Sequence, residues 1–166
     1  MVDCFTCNLI ELFTRHINPV FAATVLEDGD VIQWALDAGF PTVLGATTAQ
    51  GDAEHCRARF LYDHRVHVYD GDEIILFDVI KEVNANITFC LDARSEPAPA
   101  LIHELSTIRH HRLKSHTILI RHTEILGTDA CSGLTEYQVE QMIRSINHLY
   151  RFEELHDQNV LVAVFP

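Results

Sequence analysis

The feature that most constrains this chain is a regular alternation. Short apolar runs rich in β-branched residues recur at PVFAATVL (19–26), PTVLGAT (41–47), RVHVYD (65–70), NITFCLD (86–92) and HTILIRH (116–122). Nearly continuous apolarity over four to six residues suits strands buried on both faces, as in a parallel sheet. Helical patterns lie between them. The stretch TVLEDGDVIQWALDAGF (24–40) reads as a strand end, a turn and an amphipathic helix closed by Gly39. Thr48 to Tyr62 reads as a more polar helix with Gly51 near its start. Asp72 stands as an N-cap before Leu76, Val79, Ile80 and Val83, which are spaced to share one helix face. Leu101, Leu105 and Ile108 repeat that spacing after Pro97 and Pro99. Thr135 and Gln138 form a capping box ahead of Val139, Met142, Ile143, Ile146 and Leu149.

Strand and helix in turn, each long enough for a crossover, imply right-handed βαβ units with helices on both faces of one sheet. The tail differs: RFEELH (151–156), a DQN turn and VLVAVFP (160–166) read as an antiparallel hairpin. The expected fold class is α/β, with five parallel strands, a closing antiparallel hairpin and helices on both faces. Residues 1–18 read as an N-terminal helical segment ahead of a domain spanning 19–166.

Composition narrows the function classes. A chain of 166 residues can bury roughly 70% of its unfolded surface. The formal net charge is −12, which repels a phosphate backbone at long range and argues against nucleic acid as a partner. No run approaches the ~18 consecutive apolar residues of a membrane span. The start, MVDCFTCNLIELF, has no basic region of the kind that opens a signal peptide, so an intracellular, cytoplasmic protein is expected. The five cysteines lack framework spacing and read as reduced thiols. Cys4 and Cys7 form a lone CxxC, without a second pair or a preceding βαβ unit, and read as two thiols on a helix rather than a redox or zinc site. The eleven histidines include His103 and His110 on one helix face, with His116 and His122 flanking the fifth strand. None forms HExxH or a compact Cys/His set, so no metal site is expected and the histidines read as a solvated surface. No GxSxG or activated cysteine offers a nucleophile, and no catalytic residue is assigned.

The order of elements resembles the class I S-adenosylmethionine-dependent methyltransferase fold, and within it a small bacterial-type methyltransferase-like family. ITFCLDARSEPAPALIHEL and HHRLKSHTILIRHTEILG follow that family's fourth and fifth strand regions in spacing and type. DGDVIQWALDAGF with PTVLG matches its first helix and second strand, and CRARF with RVHVYDGD matches the stretch into the third. The resemblance runs from about Pro19 to the C-terminus. It implies an S-adenosylmethionine site built from Gly29 and Asp30 after the first strand, Asp72 near the adenine, and Asp92 at the end of the fourth strand.

The departures cluster at strand ends. Where the family has an acid and a first glycine after strand one, this chain has Ala23 and Val25, whose branched side chain would occupy the space that glycine leaves open. The second strand should end in an acid for the ribose hydroxyls, and here Ala46, Thr47 and Thr48 stand there. The family's paired acids after the fifth strand are Arg121 and His122, which reverses the local charge. After the fourth strand Asp92 remains, but Arg94 and Ser95 replace a histidine and an aromatic. Open α/β sheets bind ligands at those ends. The reading is a degenerate methyltransferase-fold protein, non-catalytic, with no cofactor, serving as a structural or protein-interaction module in a larger assembly. The competing readings are a divergent active methyltransferase using S-adenosylmethionine on a small molecule or sugar, and an anion site at Arg121 and His122.

Overall fold

The computed structural model describes residues 4–72, 75–94 and 100–166, with side chains from residue 8 onward. The chain runs α1 (Cys4–Arg15), β1 (Val20–Ala23), α2 (Asp30–Ala38), β2 (Val43–Thr47), α3 (Gln50–Arg59), β3 (Val66–Asp70), α4 (Ile75–Ile80), β4 (Ile87–Asp92), α5 (Ala100–His110), β5 (Thr117–Arg121), α6 (Glu136–Ile146), β6 (Arg151–Leu155) and β7 (Val160–Val164). Seven strands form one sheet in the order β3-β2-β1-β4-β5-β7-β6. The first five are parallel, and β7 runs antiparallel to both β5 and β6. The α/β architecture with its closing hairpin is as expected from the sequence.

Burial explains the strand sequences. Every residue of β1, β2, β4 and β5 is buried, which is why those runs are apolar without alternation. The edge strand β3 differs. Val66 and Val68 pack partly into the core while His67 and Tyr69 are exposed, because β3 has a neighbour on one side only.

The two sheet faces carry separate cores. Ala22, Leu44, Phe89, Leu91, Ile118 and Ile120 pack under α4, α5 and α6. The alternate residues Phe21, Ala23, Val43, Cys90 and Leu119 face α1, α2 and α3. Leu9, Leu12 and Phe13 of α1 are fully buried in this second core, and Phe13, Phe21 and Phe40 stack in series with ring centroids 5.0 and 4.9 Å apart. Each such tilted aromatic pair adds roughly 0.5–1.5 kcal/mol beyond the area it buries.

Helix ends show where sequence signals hold and where they shift. Thr135 and Gln138 form the reciprocal capping box at α6. Gly39 closes α2 in the left-handed conformation, with its N–H on Leu36 and that of Phe40 on Ala35. The helix expected to reach Leu149 stops at Ile146, since Asn147 turns the chain; Leu149 is exposed and Tyr150 takes the buried position. The helix expected after Asp72 is described over Ile75–Ile80, and Val83, expected on its face, lies in a following turn against the core. Cys56, Cys90 and Cys131 are buried thiols, whereas the side chains of Cys4 and Cys7, with Ser95, Pro97 and Pro99, lie outside the described residues. Among the described residues no helix is long and apolar enough to cross a membrane.

Candidate functional site

The carboxyl ends of β1, β2, β4 and β5 lie along one edge of the sheet, where open α/β proteins form their ligand crevice. Two structures occupy this edge. One is a cavity of about 240 Å³ beside the ends of β1 and β2. Thr24, Val25, Ala46, Thr47 and Thr48 form its floor, Ile75 and Leu76 of α4 close one side, and Arg94, His103 and Glu104 close another. The volume is below the roughly 300–1,000 Å³ of pockets that take drug-sized ligands.

The β1–α2 loop shapes that cavity from within. Leu26 turns inward and is fully buried, its two methyl groups 3.0 Å from where a Cβ on Gly45 would stand. Gly45 is therefore required by Leu26, and Leu26 fills core volume beside β2. Val25 stays on the cavity wall. The opening survives beside both residues. At the end of β2 the Thr47 hydroxyl accepts a hydrogen bond from the Ala49 N–H at 3.1 Å, so its oxygen is engaged by its own turn.

The second structure is a network of ion pairs across the ends of β1, β4 and β5. Asp92, 1% exposed, accepts from Arg121 at 3.0 Å, from the Arg94 guanidinium at 3.1 and 3.0 Å, and from the Arg94 N–H at 2.8 Å. Arg94 reaches on to Glu27 of the β1–α2 loop at 2.8 Å, and Arg121 lies 3.9 Å from the same carboxylate. The Arg121 guanidinium sits over the Trp34 ring of α2, 5.8 Å from its centroid. The strand ends are also joined by backbone, the Ala93 N–H donating to the Arg121 carbonyl at 3.0 Å. Burial pushes the Asp92 carboxyl up, but the Arg94 hydrogen bonds and the Arg121 charge outweigh it and hold the group below its ordinary value. Asp92 is a fixed anion at neutral pH.

Glu27, Asp92 and His122 bring potential ligand atoms within 4.8 Å of one another. This donor set does not suit a divalent cation, because Arg94 binds both carboxylates and Arg121 stands on Asp92. The same two carboxylates offset the guanidinium charges, so the set does not present a bare anion site either.

The four residues singled out from sequence are separated by the fold, and none is among the described residues lining the cavity. Gly29 is the N-cap of α2 at φ 89°, and a Cβ there would stand 2.8 Å from the Phe60 ring, which accounts for glycine without a ligand. Asp30 opens α2, is solvent-exposed and pairs with Arg59 at 2.8 Å. Asp72 lies in the bend after β3, its carbonyl accepting from the Ile75 N–H at 3.0 Å. Asp92 alone sits in the network. Two residues missed as site elements, Glu27 and His103, carry no local sequence signal, since only the fold brings Glu27 to Arg94 and His103 to the cavity. The solvated-histidine reading fits His103 and His110 and fails for His111 and His116, which are buried.

The same fold recurs in solved methyltransferases. A methyltransferase from Geobacter sulfurreducens aligns with TM-score 0.69 and 13% identity, over 99% of this chain and 80% of that one. A SAM dependent methyltransferase from Aquifex aeolicus aligns with TM-score 0.64 and 8% identity, over 97% and 89%. Human N-acetylserotonin methyltransferase, solved in complex with SAM, aligns with TM-score 0.62 and 12% identity, over 96% of this chain and 54% of that one. No protein-family profile matches the sequence, and no curated protein matches it. The chain has the class I methyltransferase-like fold. At such identities the likeness extends to the fold alone.

Proposed function

We propose that this protein is a methyltransferase-fold module that does not catalyse methyl transfer and acts through protein contacts, residues 19–166 forming the methyltransferase-like domain and α1 an added helix. The observation that carries the reading is the buried Asp92–Arg121 pair with its extension through Arg94 to Glu27. Those ion pairs span the point where the crossover direction reverses, between β1 and β4, the place a nucleotide-type cofactor would lie. Opening it would separate charges whose partners are already in place, and leaving a buried charge unpaired costs several kcal/mol. The neighbouring cavity is small, and the end of β2 offers a hydroxyl rather than a carboxylate to a ribose.

Calorimetric titration with S-adenosylmethionine and S-adenosylhomocysteine, up to millimolar concentration, tests this reading. The expected result is no binding heat and no rise in melting temperature. Micromolar binding by either compound would overturn it. One observation favours a second reading, a divergent methyltransferase of small molecules or sugars: the cavity beside β1 and β2 remains open despite Val25 and Leu26. In that case Gly29, Asp30, Asp72 and Asp92 would be cofactor residues, and Asp72→Ala would weaken the binding measured.

A further inference from the structure

At the opposite end of the sheet, β4 and β5 begin on a chain of hydrogen bonds through two buried histidines. The Ile87 N–H donates to Nδ1 of His116 at 3.1 Å. His116 Nε2 lies 2.9 Å from Nδ1 of His111, and His111 Nε2 lies 2.9 Å from the Val83 carbonyl. The Leu113 N–H also points to His111 Nδ1, at 3.3 Å. A backbone N–H can only donate, so Nδ1 of His116 is an acceptor and its proton sits on Nε2. That proton is given to His111 Nδ1, which leaves the His111 proton on Nε2, facing the Val83 carbonyl. The partners assign both tautomers.

The assignment fixes what a further proton would do. On either ring the only vacant nitrogen is Nδ1, and in both cases an N–H donor already points at it. A proton there would set donor against donor inside the protein, so the contact must break before the ring can ionise. His116 has no exposed surface and His111 is 4% exposed, so water cannot stand in. Among the surrounding groups the Leu113 backbone favours a charged His116, and it is outweighed. Phe89 packs nearly perpendicular to His116 with centroids 5.2 Å apart, and the Tyr150 phenol, pushed up by burial, lies beside the His116 backbone. Lys114 places its ammonium on the carbonyls of Arg109 and His111 and adds positive charge nearby. Burial, then His111 and Lys114, push His116 down to about 4.

The rings join two connections of the chain. Val83 belongs to the turn between α4 and β4, whereas His111 and His116 bracket the loop between α5 and β5. Beside them the Ser115 hydroxyl donates to Asn86 at 3.0 Å and the Asn147 amide donates to the Lys114 carbonyl at 3.4 Å. These neighbours are neutral amides and a hydroxyl, so the histidines are the part of this seam that acid changes.

We propose that His111 and His116 form an acid-released latch, which as neutral rings ties the α4–β4 turn to the α5–β5 loop and parts when His116 takes a second proton. This stands independently of whether the opposite edge binds a cofactor. Hydrogen exchange at the Ile87 and Leu113 amides, followed together with imidazole nitrogen shifts from pH 7 to 4.5, tests it on the intact chain. Expected is a fall in protection of about tenfold for each pH unit below 6.5, for one proton taken up on opening, with His116 not ionising in the closed state. His116→Gln, which keeps an acceptor and a donor but cannot titrate, should flatten that dependence. Ionisation of His116 near pH 6.5 with protection unchanged would overturn the latch. So would an unchanged slope in a folded His116→Gln protein. Should that variant fail to fold, the wild-type exchange profile decides alone.

Discussion

At their carboxyl ends β4 and β5 bury charge, with Asp92 and Arg121 3.0 Å apart and both nearly inaccessible. At their amino ends the same two strands bury neutral rings, His116 and His111, whose protons are assigned by backbone partners. Each solution satisfies groups that would otherwise be costly to bury, yet they fail differently. A buried ion pair is most costly when one partner is removed. A neutral histidine pair loses nothing until a proton arrives. The two ends should therefore separate cleanly by mutation and by pH.

The largest effect is expected at the charged end. Arg121→Met removes a guanidinium from a nearly inaccessible carboxylate while keeping bulk against Trp34. The loss should be about 3 kcal/mol in urea unfolding at pH 7, the low end for breaking a buried pair, because Arg94 still serves Asp92. The deficit should shrink on acidification, since Asp92 without Arg121 protonates more readily. A variant as stable as wild type would show that the pair adds nothing over apolar packing.

The pH dependence comes next and sets the two ends apart. His116 is depressed in the folded state, so the unfolded chain binds its proton first, and stability is lost as pH falls from 6.5 towards 4. The size is roughly 3 kcal/mol over that interval at 1.36 kcal/mol per pH unit. Asp92 is also depressed, but from 3.8, so its contribution is intact above that value and is lost only below it. Urea midpoints at half-unit steps should show the neutral end failing first. Arg121 stands five residues along from His116, roughly 16 Å at ~3.3 Å per residue. Arg121→Met and His116→Gln should accordingly add within about 0.5 kcal/mol.

The contrast also shows what the sequence could disclose. Strands β1, β2, β4 and β5 were legible because burial on both faces leaves continuous apolar runs, and Thr135 with Gln138 marked α6 by local chemistry alone. His111 and His116 were not legible: a histidine in a polar loop carries no mark of the partner, five residues away, that buries it. Leu149 misled because helical spacing continues past the point where Asn147 turns the backbone. Asp92 was visible as a strand-end acid with Arg94 two residues on, but its other neighbours, Glu27 of the β1–α2 loop and Arg121 at the end of β5, are brought there only by the sheet order. Gly29 drew notice as a glycine of the implied cofactor site, whereas its positive φ and the crowding by Phe60 are facts of the fold.

Gly29 offers a smaller test of what shapes the charged edge. Gly29→Ala places a methyl at φ 89° and 2.8 Å from the Phe60 ring, and should cost about 1–3 kcal/mol in thermal or urea unfolding. If packing against Phe60 sets the loop, that cost will be the same in 1 M salt, where exposed ion pairs are screened. A cost that vanishes in salt would mean that the charges, and not Phe60, hold the loop in place.

The smallest expected effect concerns Glu27, which holds φ at 50° and bridges to Arg94 with both side chains about 40–45% exposed. The positive φ opposes any β-carbon, whereas the bridge rewards the carboxylate, and two substitutions separate them. Glu27→Ala keeps the strain and loses the bridge, so it should destabilise by under about 1 kcal/mol, the usual worth of an exposed pair, and less in high salt. Glu27→Gly loses the same bridge but relieves the left-handed backbone, and should be the more stable of the two by about 1 kcal/mol. If alanine and glycine prove equal, the backbone is unstrained and the loop is shaped by Leu26 beneath it. If alanine costs far more than 1 kcal/mol, Glu27 belongs energetically with Asp92 and Arg121, and the charged end of the sheet is a four-residue unit rather than a buried pair with a surface extension.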